Sequence, residues 1–169
     1  IECAERCFAI PEDAIVSVLR IGQEKFNNMV QNLSMGRVLL RDNIIYPLID
    51  LQSVLKLKSD KYKDKSDVEI LILKTEQMEY ALLIDDILDS EEIVLKRLNS
   101  CFNYMGIYSG ATFMGDGSIG LILDVKNIAE VAGVKNFNSK IEENSKYILN
   151  NSLDSDSVFI NYLLFKLEK

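Results

Sequence analysis

The chain contains no histidine, which removes every mechanism that needs an imidazole: the Ser-His-Asp triad, the Cys-His pair, and His-ligated zinc or haem. Cysteine is scarce as well. The three present, Cys3, Cys7 and Cys101, are odd in number and show no C-x-x-C spacing, so neither a disulfide framework nor a structural zinc site is expected and a reducing cytoplasm fits best. Long apolar runs are missing. Stretches such as Tyr80 to Ile84 and Leu121 to Leu123 fall far short of the roughly 20 residues that a membrane span requires, so no direct membrane insertion is expected. Basic charge is in deficit: 26 acidic residues against 19 basic ones leave a formal charge of -7, which repels phosphate backbones and anionic bilayers. Nucleic acid is therefore not expected as a partner. The chain opens at Ile1 without an initiator methionine, as a piece of a longer protein would, and its lack of a signal peptide carries no information.

What is present is a composition of 48% hydrophobic and 27% charged residues over 169 positions, close to soluble globular averages and enough for one domain with a real core. Period-2 alternation and β-branched runs, broken at short intervals by Asn, Asp, Gly and Pro, predict an all-β domain. The candidate strands are Cys7 to Ile10, Ile15 to Ile21, Arg37 to Arg41, Ile44 to Ile49, Val68 to Thr75, Tyr80 to Leu88, Ile93 to Arg97, Ile107 to Met114, Ser118 to Val125 and Val158 to Leu167. Helical signals are few. Phe26, Met29, Val30 and Leu33 follow i, i+3, i+4, i+7 spacing, Asp50 can cap a short turn carrying Leu51, Val54 and Leu55, and a third helix starts near Asp124 and ends at Gly133. The polar run Lys58 to Asp67 is a connector between two halves. Residues 1–134 form the predicted domain, 135–157 a linker rich in Asn, Ser and charge, and 158–169 a strand apolar on both parities.

Gly115-Asp116-Gly117-Ser118-Ile119-Gly120 satisfies the letter of the dinucleotide fingerprint, but a strand follows it where that motif needs a helix N-terminus. Gly115, Asp116 and Gly117 are better placed as a hairpin turn whose glycines accept positive φ. No cofactor is expected. The carboxylates Asp85, Asp86, Asp89, Glu91 and Glu92 lack the spacing of a calcium loop, and adjacent Asp85 and Asp86 point to opposite faces of a strand. They are expected in a solvated turn, with no metal site and no catalytic residue among them.

The run Ile93-Val-Leu-Lys96-Arg-Leu98, followed by Gly106-Ile-Tyr-Ser-Gly110-Ala-Thr-Phe-Met-Gly115-Asp-Gly117-Ser-Ile-Gly-Leu-Ile-Leu-Asp124-Val, resembles the CheW-like regulatory domain at the C-terminal end of CheA-type chemotaxis histidine kinases. Phe8-Ala-Ile-Pro11 through Ile21, Tyr46-Pro47-Leu48-Ile-Asp-Leu51 and Tyr80-Ala-Leu-Leu-Ile-Asp85-Asp-Ile87 agree with the same pattern. The resemblance covers about Phe8 to Gly133. It implies two small five-stranded SH3-like β-barrels with a few short helices. It also implies a domain without chemistry of its own, which docks a CheW-type adaptor and the chemoreceptor cytoplasmic domain beside the other kinase domains of the same chain. The Lys96 to Asp124 features favour the kinase domain over a stand-alone CheW-type adaptor. Asp42 and Asn43 stand where the family commonly has Arg-Gly, a pair that can still turn because Asn tolerates the left-handed region. The opening strand is short, so the tail at 158–169 either begins a second CheW-like domain or pairs back beside it.

A closed barrel hides its strand edges, so a partner must use outward side chains, loop tips or the groove between barrels. Apolar residues on faces that should be wet are the candidates: Val18, Leu19 and Ile21 in one strand, Leu39 and Arg41 in another, with Val38 and Leu40 inward. Phe113 and Met114 beside the glycine turn complete the set, although core filling is the competing expectation for them and for Tyr108. Two rival functions are an oligonucleotide-binding small barrel, opposed by the net charge, and a hydrolase built on Asp85, Asp116 and Asp124.

Overall fold

The computed structural model describes residues 1–34, 36–57, 66–98, 106–115 and 117–134. Its organising elements are two central strands, β7 (Asp67–Lys74) and β8 (Glu79–Ile84), apolar at nearly every position and buried on both faces. Val68, Ile70, Ile72, Ala81 and Leu83 point into one core, while Leu71, Leu73, Tyr80, Leu82 and Ile84 point into another. A strand buried on both sides loses the alternation of a half-exposed one, which explains the apolar runs Ile70 to Leu73 and Tyr80 to Ile84.

Around this septum the described strands form two sheets. The first runs β3 (Ile15–Gly22), β7, β8, β6 (Ile44–Asp50), β5 (Gly36–Arg41) and β4 (Val30–Leu33). The second runs β1 (Glu2–Cys3), β2 (Arg6–Ala9), β10 (Ile119–Leu123) and β9 (Tyr108–Phe113). The expected pair of small barrels is thus built from six and four described strands rather than five and five. The predicted strand Ile93 to Arg97 contracts to one bridge, in which Lys96 and Ala111 exchange backbone bonds of 2.8 and 2.9 Å. Gly110 permits that approach, because a Cβ there would lie 2.9 Å from both the Lys96 carbonyl oxygen and Leu95 Cδ1.

Among the described residues there are three α-helices, α1 (Gln23–Met29), α2 (Leu51–Leu55) and α3 (Val125–Val131). Asp50 caps α2 through Gln52 N at 3.1 Å and Asp124 caps α3 through Asn127 N at 3.0 Å, satisfying amides that have no intrahelical partner. The first helix is shorter than its apolar spacing predicts. β-branched Val30 leaves the helix at φ -96°, ψ 132° and pairs with Leu39, so Val30 and Leu33 belong to the β4–β5 hairpin and Phe26 alone on α1 is fully buried. The tail at 158–169 and the linker at 135–157 lie outside the described residues, as do Cys101 and Asp116.

Candidate interaction surface

The predicted contact residues separate once their burial is known. β3 alternates, with Val16, Val18 and Arg20 outward and Ile15, Ser17, Leu19 and Ile21 turned in. Val18 is 53% exposed. Leu19 and Ile21 are instead half-buried, on the opposite face, and pack against the core that contains Phe26 and Leu39. Leu39 is the clearest correction: it is 0% exposed, opposite Tyr46 on one side and Val30 on the other. Val38 is buried too, because β5 is covered on both faces, whereas Leu40 is only half-buried. Arg41 is half-buried and donates from Nη1 to Ser17 Oγ at 2.7 Å, tying β5 to β3. Its Nε also donates to Asp42 at 3.1 Å. Asp42 and Asn43 both adopt left-handed backbone, at φ 49° and 64°, and form the expected turn.

At the glycine turn, Met114 N donates to the Ser118 carbonyl at 2.8 Å, closing a hairpin between β9 and β10. Of the two glycines only Gly117 needs positive φ, at +82°; Gly115 instead donates its amide to Glu91 Oε2 at 3.3 Å. Phe113 does not fill the core. It is 58% exposed, with the Lys96 ammonium 4.3 Å above its ring, a cation–π contact worth roughly 0.5–1 kcal/mol at such a site. Met114 is half-buried, and Tyr108 packs against the core, where burial raises the pKa of its phenol.

Between β3 and the second sheet lies an apolar groove of about 890 Å³. One wall is Ile15, Val16 and Val18 with Leu71 beneath; the other is the segment Ile87 to Leu95, with Met114 and Ile122 at its base. Leu95 is 54% exposed and Leu88 nearly as much. Sequence pattern singles out Val18 and Met114 among these; it places Ile87 and Leu88 at the end of one candidate strand and Ile93 and Leu95 in the next, and does not bring them together as one wall. The available signal was apolar content: Ile87, Leu88, Ile93, Val94 and Leu95 flank the acids Asp89, Glu91 and Glu92, more than a solvated turn needs.

The carboxylates at the end of β8 also differ from expectation. Asp85 is buried, not solvated, and accepts from Ala4 N at 2.5 Å and Gln52 Nε2 at 3.4 Å. Next to it Cys3 is fully buried, and burial, with the Asp85 charge second, pushes its thiol up to about 12. That thiol stays protonated near neutral pH and is inert. Among the described residues no cluster of three or more Cys, Asp or Glu side chains is arranged to hold a metal ion, and no helix is long and apolar enough to cross a membrane.

A family model for the CheW-like domain matches residues 1–132. The chain belongs to the CheW-like domain family. Relatives named Chemotaxis protein CheA include one from Klebsiella aerogenes, 31% identical over 121 residues, covering 72% of this chain and 18% of that protein. Another, from Bacillus subtilis, is 29% identical over 124 residues, covering 73% and 18%. The sensor histidine kinase CheAY of Helicobacter pylori is 30% identical over 128 residues, covering 76% and 15%. This CheW-like chain thus spans less than a fifth of the length of these relatives. The crystal structure of the scaffolding protein TtCheW from Thermoanaerobacter tengcongensis shares the fold, with TM-score 0.52 and 13% identity over 73% of this chain and 85% of that one.

Proposed function

We propose that this CheW-like chain is the regulatory domain of a CheA-type chemotaxis histidine kinase. It docks a CheW-type adaptor and the cytoplasmic tips of chemoreceptors, in arrays on the inner face of the membrane, and so couples receptor state to a kinase activity carried by other domains of the same polypeptide. The observation that carries the reading is the groove: Val18, Leu88 and Leu95 hold apolar side chains half in water along one cleft, the situation an amphipathic helix relieves by laying its apolar face between two walls. The relatives named CheA, matched over only a small share of their length, support a domain within a kinase.

Coupling requires that the receptor's two signalling states differ in contact free energy with this surface, typically by roughly 1–3 kcal/mol. Val18 and Met114 are the groove contacts, and exposed Phe113 serves a second contact at the hairpin tip. Arg41 acts by holding β5 to β3. A charged residue at position 18 tests the reading: Val18→Glu should abolish co-sedimentation with receptor tips while the domain still melts cooperatively. Undiminished co-sedimentation overturns the groove assignment. The second reading, a stand-alone CheW-type adaptor, is favoured by the match to 85% of TtCheW. A gene encoding a kinase core upstream of Ile1 decides for the first reading, and its absence for the second.

A further inference from the structure

Glu69 is an unusual residue for the middle of a septum strand. It is 4% exposed on a strand otherwise filled with Ile, Leu and Val, and a buried carboxylate is retained only where each oxygen is engaged. Here the two oxygens have separate partners. Oε1 accepts from Arg20, through Nε at 2.7 Å and again through Nη2, while Oε2 accepts from the backbone amide of Ile87 at 2.9 Å. Arg20 and Glu69 are direct cross-strand partners, one ladder position from the pair Leu19 and Ile70 and two from Val18 and Leu71. Val18 and Leu71 line the groove, so the ion pair stands close to its end. Ile87 begins the segment that forms the opposite wall. Asp86 adds to the same joint: its Oδ1 lies 3.7 Å from the Arg20 guanidinium and accepts from the Ile87 amide at 2.9 Å, and its backbone carbonyl accepts from Glu2 N at 2.8 Å.

We propose that Glu69 is a positioning residue for the groove: it clips the root of the wall running from Ile87 to Leu95 to the β3 side and thereby fixes the width of the cleft. The proposal rests on the groove reading above and adds how that site is regulated. Beyond Ile87, the described backbone of the wall is held by the Lys96 bridge to Ala111 and by Glu91 on the Gly115 amide. The wall is therefore pinned at its two ends, and Glu69, which shares the Ile87 amide with Asp86, is the side-chain pin that joins it to β7. Breaking that pin leaves both barrels intact while releasing one side of the cleft.

The experiment places spin labels at Val18→Cys and Val94→Cys, one on each side of the groove, in a background with Cys7 and Cys101 replaced by Ser, and compares the inter-label distance distribution for Glu69, Glu69→Gln and Glu69→Ala. Glu69→Gln keeps a carbonyl oxygen for the Ile87 amide; Glu69→Ala removes the link to β7 and leaves that amide only the carboxylate of its neighbour Asp86. A narrow distribution for Glu69 and Glu69→Gln with a distinctly broader one for Glu69→Ala is expected. Amide exchange at Ile87 should accelerate in Glu69→Ala and not in Glu69→Gln, and by at least tenfold when Asp86→Ala is added to Glu69→Ala. A distribution as narrow in Glu69→Ala as in the parent overturns the proposal. Receptor-tip affinity, measured in parallel with Val18 and Val94 native and no labels attached, should fall about tenfold for Glu69→Ala and little for Glu69→Gln. Broadening without loss of affinity also overturns the positioning role. If the parent itself fails to bind the tip, the receptor reading falls, and the label distances alone still decide whether Glu69 fixes the wall.

Discussion

Leu39 offers the sharpest test of where surface ends and core begins. Its side chain is 0% exposed and belongs to the cluster of Phe26, Tyr46, Leu48, Ile70 and Ile72, whereas Val18, another apolar candidate on this sheet, is 53% exposed. Truncating Leu39 to Ala removes the transfer free energy of the lost methyl groups and adds the cost of an unfilled space, because neighbours fixed in strands on both sides collapse poorly. Leu→Ala changes in such settings cost about 2–5 kcal/mol, and about 3 kcal/mol is expected here. With a urea slope of about 2 kcal/mol/M, the midpoint should fall by about 1.5 M. Val18→Ala should shift it by less than about 0.3 M, since surface substitutions stay within roughly 0.5 kcal/mol. Leu39→Asp should prevent folding, because an unpaired buried carboxylate consumes most of a typical stability of about 5–15 kcal/mol. Equilibrium urea unfolding followed by circular dichroism reads all three. A loss under about 1 kcal/mol for Leu39→Ala would refute the burial argument and return Leu39 to the list of surface candidates.

The remaining predictions follow from single contacts. Asp50→Ala and Asp124→Ala each delete a cap that accepts two hydrogen bonds, to Gln52 N and Ser53 Oγ in the first case and to Asn127 N and Nδ2 in the second; each should cost about 1 kcal/mol by urea unfolding. Gly110→Val drives a side chain into the Lys96 carbonyl and Leu95, so amide exchange at Ala111 should accelerate while Ile70 in the septum keeps its protection. Stability should decline at alkaline pH. The Cys3 thiol titrates near 9.0 when unfolded and at about 12 when folded, so its contribution is complete below pH 9 and is lost between 9 and 12, at up to about 1.4 kcal/mol per pH unit. Tyr80, buried with its hydroxyl donating to the Val125 carbonyl at 2.8 Å, has a raised pKa because of that burial and adds to the decline above pH 10. Cys3→Ala should flatten the fall in urea midpoint between pH 9 and 10, and a slope parallel to the parent's would contradict the assignment.

Much of the fold is legible in the sequence because its signals are local. Asp50 and Asp124 cap the helices they were expected to cap, Asp42 and Asn43 turn through left-handed backbone, and Gly133 follows the last helix at φ +74°. Each rests on side-chain or backbone chemistry within four residues. What period-2 patterning cannot supply is the identity of the covering layer. Val38 and Leu39 are neighbours on opposite faces of β5 and both are buried, so assigning one parity to the core wrongly exposes the other. β3 shows the reverse: both parities are apolar, yet Val16 and Val18 are outward. The site was harder still. Ile87, Ile93 and Leu95 gain their role only from a septum strand and a hairpin distant in sequence, and Asp85 becomes buried because Ala4 and Gln52 arrive to meet it.

The septum also determines where motion can occur. For the two barrels to rotate against one another, side chains on β7 and β8 would have to leave one core or the other, and Leu71, Leu73, Leu82, Ile70 and Ile72 are each almost fully buried. Exposing even one such side chain costs about 1.5–3 kcal/mol, which already equals the coupling energy of a typical allosteric contact. Rotation of the barrels is therefore too stiff a coordinate for a partner's two states to drive. The groove wall is softer: moving its root forfeits the Ile87 amide bonds to Glu69 and Asp86 and loosens only the partly buried Ile87 side chain from the core it packs against. A hydrogen bond to a charged group contributes about 1.5–3 kcal/mol when fully formed, but water replaces part of it at a half-exposed position such as Ile87. A difference of 1–3 kcal/mol between bound states is thus enough to shift the wall and too small to shear the septum.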